Sequence, residues 1–118
     1  MFAGKKRIVG KYYLIQGDTE EYHLAFDLGN GGFIGRSPSN ALLVGYAYDD
    51  SLFIFKTKDY TRPSITYTVI NWKKDNGYSH DKELYLDTIP ENLYKTSWIA
   101  KRNYRFIDVN ETLHKSGG

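Results

Sequence analysis

No cysteine occurs in the 118 residues of this chain. That excludes a disulfide, a thiolate zinc site and a cysteine nucleophile. Proline is scarce, at three residues, and long apolar runs are missing. The strongly apolar stretches, such as 52–55 (Leu-Phe-Ile-Phe), have the length of a strand. They fall far short of the roughly 18 apolar residues that mark a membrane-crossing helix. A mean hydropathy of -0.56 agrees, and no membrane span is expected. The opening has basic residues, Lys5, Lys6 and Arg7, but no apolar segment after them, so it does not read as a signal peptide. Charge of one sign is in only slight excess, 16 Lys and Arg against 14 Asp and Glu, a net +2. A dedicated nucleic-acid binder is more basic than that. Lys5, Lys6, Arg7 and Lys11 carry the local excess, which reads as a solvated tail.

What is present is aromatic: eleven Tyr, six Phe and two Trp, mostly in short alternating runs bounded by Gly, Asn and Asp. The length sets one domain, 1–118, with residues 1–6 and 111–118 expected to be flexible. A hydrophobic fraction of 41% and a charged fraction of 25% are those of an ordinary globular protein.

The alternation writes strands. Residues 7–16 read as one strand covered on both faces, with Ile8, Tyr12 and Leu14 opposite Val9, Tyr13 and Ile15. Residues 21–28 set Tyr22, Leu24, Phe26 and Leu28 against polar neighbours, as in a strand with one wet face. Gly29, Asn30, Gly31 and Gly32 then form a turn, since Gly and Asn tolerate positive φ. A short edge strand is expected at 33–35. Residues 42–48 and 51–57 flank Asp49-Asp50, a hairpin that would pair Tyr46 with Phe53 and Val44 with Phe55. Further strands are expected at 64–72, 82–86 and 104–109, with a turn at Asn76-Gly77. One segment breaks the pattern. Thr88-Ile89-Pro90-Glu91 matches a capping box, and proline suits a first helical turn. Residues 90–100 therefore read as the one helix, with Ile89, Leu93 and Trp98 in its apolar stripe and Leu93 and Trp98 laid over Gly45 and Ala47 of the sheet. The fold class is mainly β (β-rich α+β): an antiparallel curled sheet or partial barrel with one short C-terminal helix.

Specific chemistry is not written in the chain. The run from Gly29 to Gly35 lacks the third glycine of a dinucleotide fingerprint and leads to Pro38 rather than a helix. His23, His80 and His114 are too scattered for a metal site. The paired carboxylates Glu20-Glu21 and Asp49-Asp50 fall at turns and read as solvated. No catalytic residue, cofactor or metal ligand is assigned. One cluster stands out: Tyr60, Arg62, Trp72, Lys73, Lys74 and Tyr78 interleave rings and cations around two loops. Single-stranded nucleic acid is held by such combinations. Asp59, Asp75 and Asp81 dilute the charge, however, and a core tryptophan with snorkelling neighbours explains the same residues. Nucleic acid therefore ranks below protein as the partner of this candidate patch.

The order Lys6-Arg7-Ile8-Val9-Gly10-Lys11-Tyr12-Tyr13-Leu14, then Val44-Gly45-Tyr46, Leu52-Phe53-Ile54-Phe55-Lys56 and Tyr67-Thr68-Val69-Ile70, resembles small bacterial lipoproteins of unknown function. Those combine a Gly and Tyr-Tyr-Leu opening with a hydrophobic hairpin and a tyrosine-bearing strand before a short helix. The likeness covers residues 7–98 and implies an extracytoplasmic, cell-envelope domain tethered by a lipidated N-terminal cysteine. This sequence contains no cysteine, so such an anchor and its signal would have to precede it. The resemblance brings no catalytic residues. The expectation is a non-catalytic bacterial interaction domain with a protein partner, or less readily a glycan stacked on aromatics. The alternative is an immunity protein or antitoxin that blocks a toxin, which could sit in the cytoplasm. A single-stranded nucleic-acid binder or a small enzyme ranks lower.

Overall fold

The computed structural model describes residues 4–16, 21–37, 41–78 and 84–110. The expected loose ends at 1–3 and 111–118, Glu20, Pro38, His80, Asp81 and His114, and the start of the expected strand 82–86 lie outside them. Two antiparallel sheets make up most of what is described. The first, in the order β1-β2-β3-β4, contains β1 (Gly4–Val9), β2 (Tyr12–Gln16), β3 (Tyr22–Asp27) and β4 (Phe33–Gly35). The second, in the order β8-β7-β6-β5-β9, contains β5 (Ala41–Tyr48), β6 (Leu52–Asp59), β7 (Ile65–Asn71), β8 (Tyr85–Pro90) and β9 (Ile107–Asp108). The mainly β class is as expected. The sheets are neither closed nor curled into one barrel; they pack on each other.

The packing follows from alternation. Tyr12, Leu14, Leu24 and Phe26 of the first sheet meet Leu43, Tyr46, Phe53, Phe55 and Ile70 of the second in one buried cluster. The Tyr12 and Phe53 rings stack across the sheets with centroids 5.3 Å apart. A register shift between Leu43 and Gly45 inserts one residue and so keeps both Leu43 and Tyr46 on the inner side of β5. β6 is covered on both faces, which explains its unbroken Leu-Phe-Ile-Phe run. Phe53 and Phe55 point inward. Leu52 and Ile54 join Tyr67, Val69, Ile89 and Ile99 in a second cluster, covered by Tyr94, Tyr104 and Phe106.

Several expectations are corrected. Residues 7–16 are not one strand but the hairpin β1–β2, turned at Gly10, whose φ is +57°. Apolar alternation ran through the turn and hid it. Gly4 to Lys6, expected in a loose tail, are paired with β2. The Lys5 ammonium lies 5.7 Å from the Tyr13 ring centroid and 5.3 Å from that of Phe33. The β5–β6 hairpin pairs Tyr46 with Phe55 and Tyr48 with Phe53, rather than Tyr46 with Phe53. Its turn falls on Asp50 and Ser51 because the Asp49 carboxylate accepts the N–H groups of Ser51 (2.9 Å) and Leu52 (2.8 Å).

The helix is shorter than the capping box promised. α1 spans only Glu91–Tyr94, with Pro90 as its N-cap. Thr88 is spent on the sheet, opposite Thr68 in the β7–β8 ladder. Leu93 and Trp98 do not cover the sheet: they are 53% and 43% exposed, and Ile99 is buried instead. Nor do they reach Gly45. A Cβ there would stand 3.1 Å from the Ile107 carbonyl oxygen, so β9 occupies that approach.

Candidate functional site

The two sheets are joined by a buried ion pair. Arg36 leaves the end of β4, and Asp75 follows the short 3₁₀ segment Trp72–Lys74 at the end of β7. Arg36 donates from Nε to Asp75 Oδ2 at 2.6 Å and from Nη2 to Oδ1 at 2.8 Å. Both side chains are fully shielded from solvent. The Tyr12 hydroxyl donates to Oδ2 at 2.5 Å and the Gly77 N–H to Oδ1 at 2.8 Å. Four donors thus occupy the carboxylate, which leaves it no room to act as a base. Burial works to raise the Asp75 pKa, but the bonds from Arg36, Tyr12 and Gly77 outweigh it and hold the group below the ordinary carboxylate range. Burial, followed by the bond to Asp75, pushes the Tyr12 phenol far above its ordinary value. Arg36 Nη1 has no hydrogen-bond partner.

Above this pair lies a cleft of about 450 Å³, lined by Gly10, Lys11, Phe26, Trp72 and Lys73, with Tyr12, Asp75 and Asn76 beneath and beside them. Trp72 forms one wall and is fixed there. Its Nε1–H donates to the Asp49 carbonyl oxygen at 2.8 Å. Its ring presses on the β1–β2 turn so closely that a Cβ on Gly10 would lie 2.9 Å from it. Lys11 places its ammonium 5.8 Å from the Phe26 centroid, and Lys73 places its own 6.0 Å from that of Trp72. Both lysines are exposed. The result is an aromatic cleft rimmed by two cations, resting on a rigid polar floor.

Asp49 anchors the same region from below. Its Oδ2 accepts the Tyr104 hydroxyl at 2.5 Å and Arg102 Nη2 at 3.0 Å, while Oδ1 accepts the hairpin amides. Burial works to raise its pKa, but these bonds and the Arg102 charge bring it down to about 2. Asp49 and Asp50 therefore differ in kind. The first is a structural hub, not a solvated turn carboxylate.

The candidate patch from the sequence is divided. Trp72 and Lys73 line the cleft, and Lys74 is exposed beside them. Tyr78, 72% exposed, follows Gly77 and has its N–H held by the Asn76 side chain at 2.8 Å. Tyr60 and Arg62 lie in the β6–β7 loop, beyond the opposite end of the seven-residue strand β7. That is a separation of roughly 20 Å at the usual strand rise. There the Tyr60 hydroxyl donates to Glu21 Oε2 at 2.9 Å. Sequence reading missed Lys11, Phe26, Arg36 and Asp75. Nothing in the sequence pairs Arg36 with Asp75; only the Asn76-Gly77 turn hinted that this loop is bent back. Among the described residues, no three His, Asp or Glu side chains gather into a metal-binding group.

Compared with protein-family models, curated proteins and solved structures, the chain shows no significant match to any of them.

Proposed function

We propose that this chain is a non-catalytic interaction domain that grips a protein partner at the Trp72 cleft. The observation that carries the reading is the meeting of Lys11 and Lys73 with the Trp72 and Phe26 rings around one recess. Such a recess suits a partner segment that carries an acidic group beside an aromatic or aliphatic one. The carboxylates meet the cations at the rim, and the apolar group fills the cleft. The clamp of Arg36 on Asp75 fixes the floor in advance, so little ordering entropy is lost on binding. The resemblance to envelope lipoproteins supports reading the partner as another envelope protein.

The test is a charge reversal. Immobilised wild-type protein and the Lys11→Glu, Lys73→Glu double variant are compared as baits for proteins from the source cell's envelope and soluble fractions. A protein retained by the wild type and lost by the equally folded variant is the expected result. Equal retention by both baits would rule out the cleft as the contact. Retention of single-stranded nucleic acid in place of a protein would move the reading to the lower-ranked class.

A further inference from the structure

A second recess, of about 390 Å³, lies on the inner face of the five-stranded sheet and is separate from the Trp72 cleft. Strand register builds it. Thr57 faces Thr66 across β6–β7, and Thr68 faces Thr88 across β7–β8. All four threonines line the recess, with Asp59 and Tyr85 at its sides. Thr57 and Thr68 are 2% and 7% exposed. The Thr57 hydroxyl donates to the Thr66 carbonyl oxygen at 3.3 Å. The hydroxyls of Thr66, Thr68 and Thr88 bond to no other described residue.

Thr68 is buried, Thr66 half-buried and Thr88 exposed, and all three line the open recess. Valine has the shape of threonine and an equal liking for strands, so packing at the buried Thr68 position does not itself call for a hydroxyl. Three such hydroxyls, each able to donate and accept, stand at fixed spacing on paired strands. Among the described residues lining the recess the one charged side chain is Asp59, whose Oδ1 accepts the Thr61 N–H and hydroxyl, each at 2.8 Å, so an anionic ligand is disfavoured. The Tyr85 side chain adds an aromatic surface. The volume lies within the range of small-molecule sites. We infer that this recess binds a neutral polyhydroxylated ligand, a short oligosaccharide whose hydroxyls pair with Thr66, Thr68 and Thr88 and with the Asp59 carboxylate.

The test is titration of isotope-labelled protein with maltotriose, cellotriose, mannotriose and tri-N-acetylchitotriose at millimolar concentration, read by amide spectra. At least one sugar should give saturable shifts centred on Thr57, Thr66, Thr68 and Thr88. Thr68→Val and, separately, the more exposed Thr88→Val should each weaken that binding by about tenfold or more while leaving the melting temperature near that of the wild type. Inorganic phosphate should leave these amides unmoved. Absence of saturable shifts with all four sugars overturns the inference. So do shifts centred on Trp72, or binding indifferent to both valine variants. The Lys11→Glu, Lys73→Glu variant should bind the sugar normally, which separates this site from the protein-binding cleft.

Discussion

Arg36 and Asp75, 39 residues apart in the chain, form a two-pronged ion pair with no solvent access, and through it the edge of one sheet holds the loop that ends a strand of the other. A buried pair of this kind contributes less net stability than its geometry suggests, because both ions had to leave water. Its removal is a different matter. Asp75→Ala leaves the guanidinium buried and uncompensated and strips Tyr12 and Gly77 of their acceptor. The expected loss is about 3–5 kcal/mol in unfolding free energy from urea titration. Replacing both partners with apolar residues should recover a large part of it. A single variant as stable as the wild type would show that the pair is not a clamp.

The two tryptophans should behave in opposite ways. Trp72 is wedged against Gly10 and bonded to the Asp49 carbonyl. Trp98 is 43% exposed, and its Nε1–H donates to the Asp87 carboxylate at 2.8 Å. Trp72→Ala should cost about 3 kcal/mol, the low end for large aromatic truncations, and Trp98→Ala about 1 kcal/mol or less. The pair of denaturation midpoints decides it.

The same contrast holds for the segment that covers the outer face of the second sheet. Ile99 is wholly buried in the cluster with Leu52 and Val69, while Leu93 is largely exposed. Ile99→Ala should cost about 2–5 kcal/mol and Leu93→Ala should be nearly neutral. If the order were reversed, the helix would present the face expected from the sequence stripe.

Gly77 should not tolerate a side chain. Its φ is +90°, and a Cβ there would stand 2.6 Å from Leu28 Cδ2 and 3.0 Å from Phe26 Cε1. Gly77→Ala is expected to lower the melting temperature and to disturb the Asp75 loop, whereas Gly31→Ala, with a similar φ but open space around it, should show the backbone cost alone. Thermal melts of the two variants separate packing from strain.

Stability should fall at both extremes of pH, each for a named reason. Asp49 titrates near 2 in the fold, against an ordinary value of 3.8. A depressed carboxylate stabilises the fold above its unfolded pKa, and that contribution is lost as pH falls from about 4 toward 2. Asp49→Asn should therefore flatten the acid limb of a stability–pH curve. Tyr12 and Tyr104 are shifted upward, by burial first and then by their bonds to Asp75 and Asp49. The unfolded chain then loses phenolic protons before the folded one does, so stability should decline as pH rises past about 10. Tyrosinate absorbance followed beside circular dichroism checks this: the late-titrating phenols should ionise together with unfolding.

Most of the local elements were legible along the chain. Period-two alternation marked β3, β5, β6 and β7, and glycine with asparagine marked the turns at Gly29 to Gly32 and at Asn76-Gly77, because both signals depend only on neighbours along the chain. Where two local signals competed, tertiary structure chose. The Thr88 capping box lost to the β7–β8 ladder, since a short helix gains less than a strand completing a sheet over a buried face. The Asp49 side chain moved the hairpin turn by capturing two amides. Register, in turn, placed four threonines on one inner face. The candidate cleft was half legible: Trp72 and Lys73 were visible as an aromatic and a cation in sequence. Lys11, Phe26 and Arg36 lie 61, 46 and 36 residues before Trp72 in the chain, and Asp75, only three residues after it, owes its place in the floor to Arg36. Which charges are buried and paired, and which remain at a rim, is settled only when two sheets close on each other, because burial is a property of the packed chain and not of any residue's neighbours in sequence.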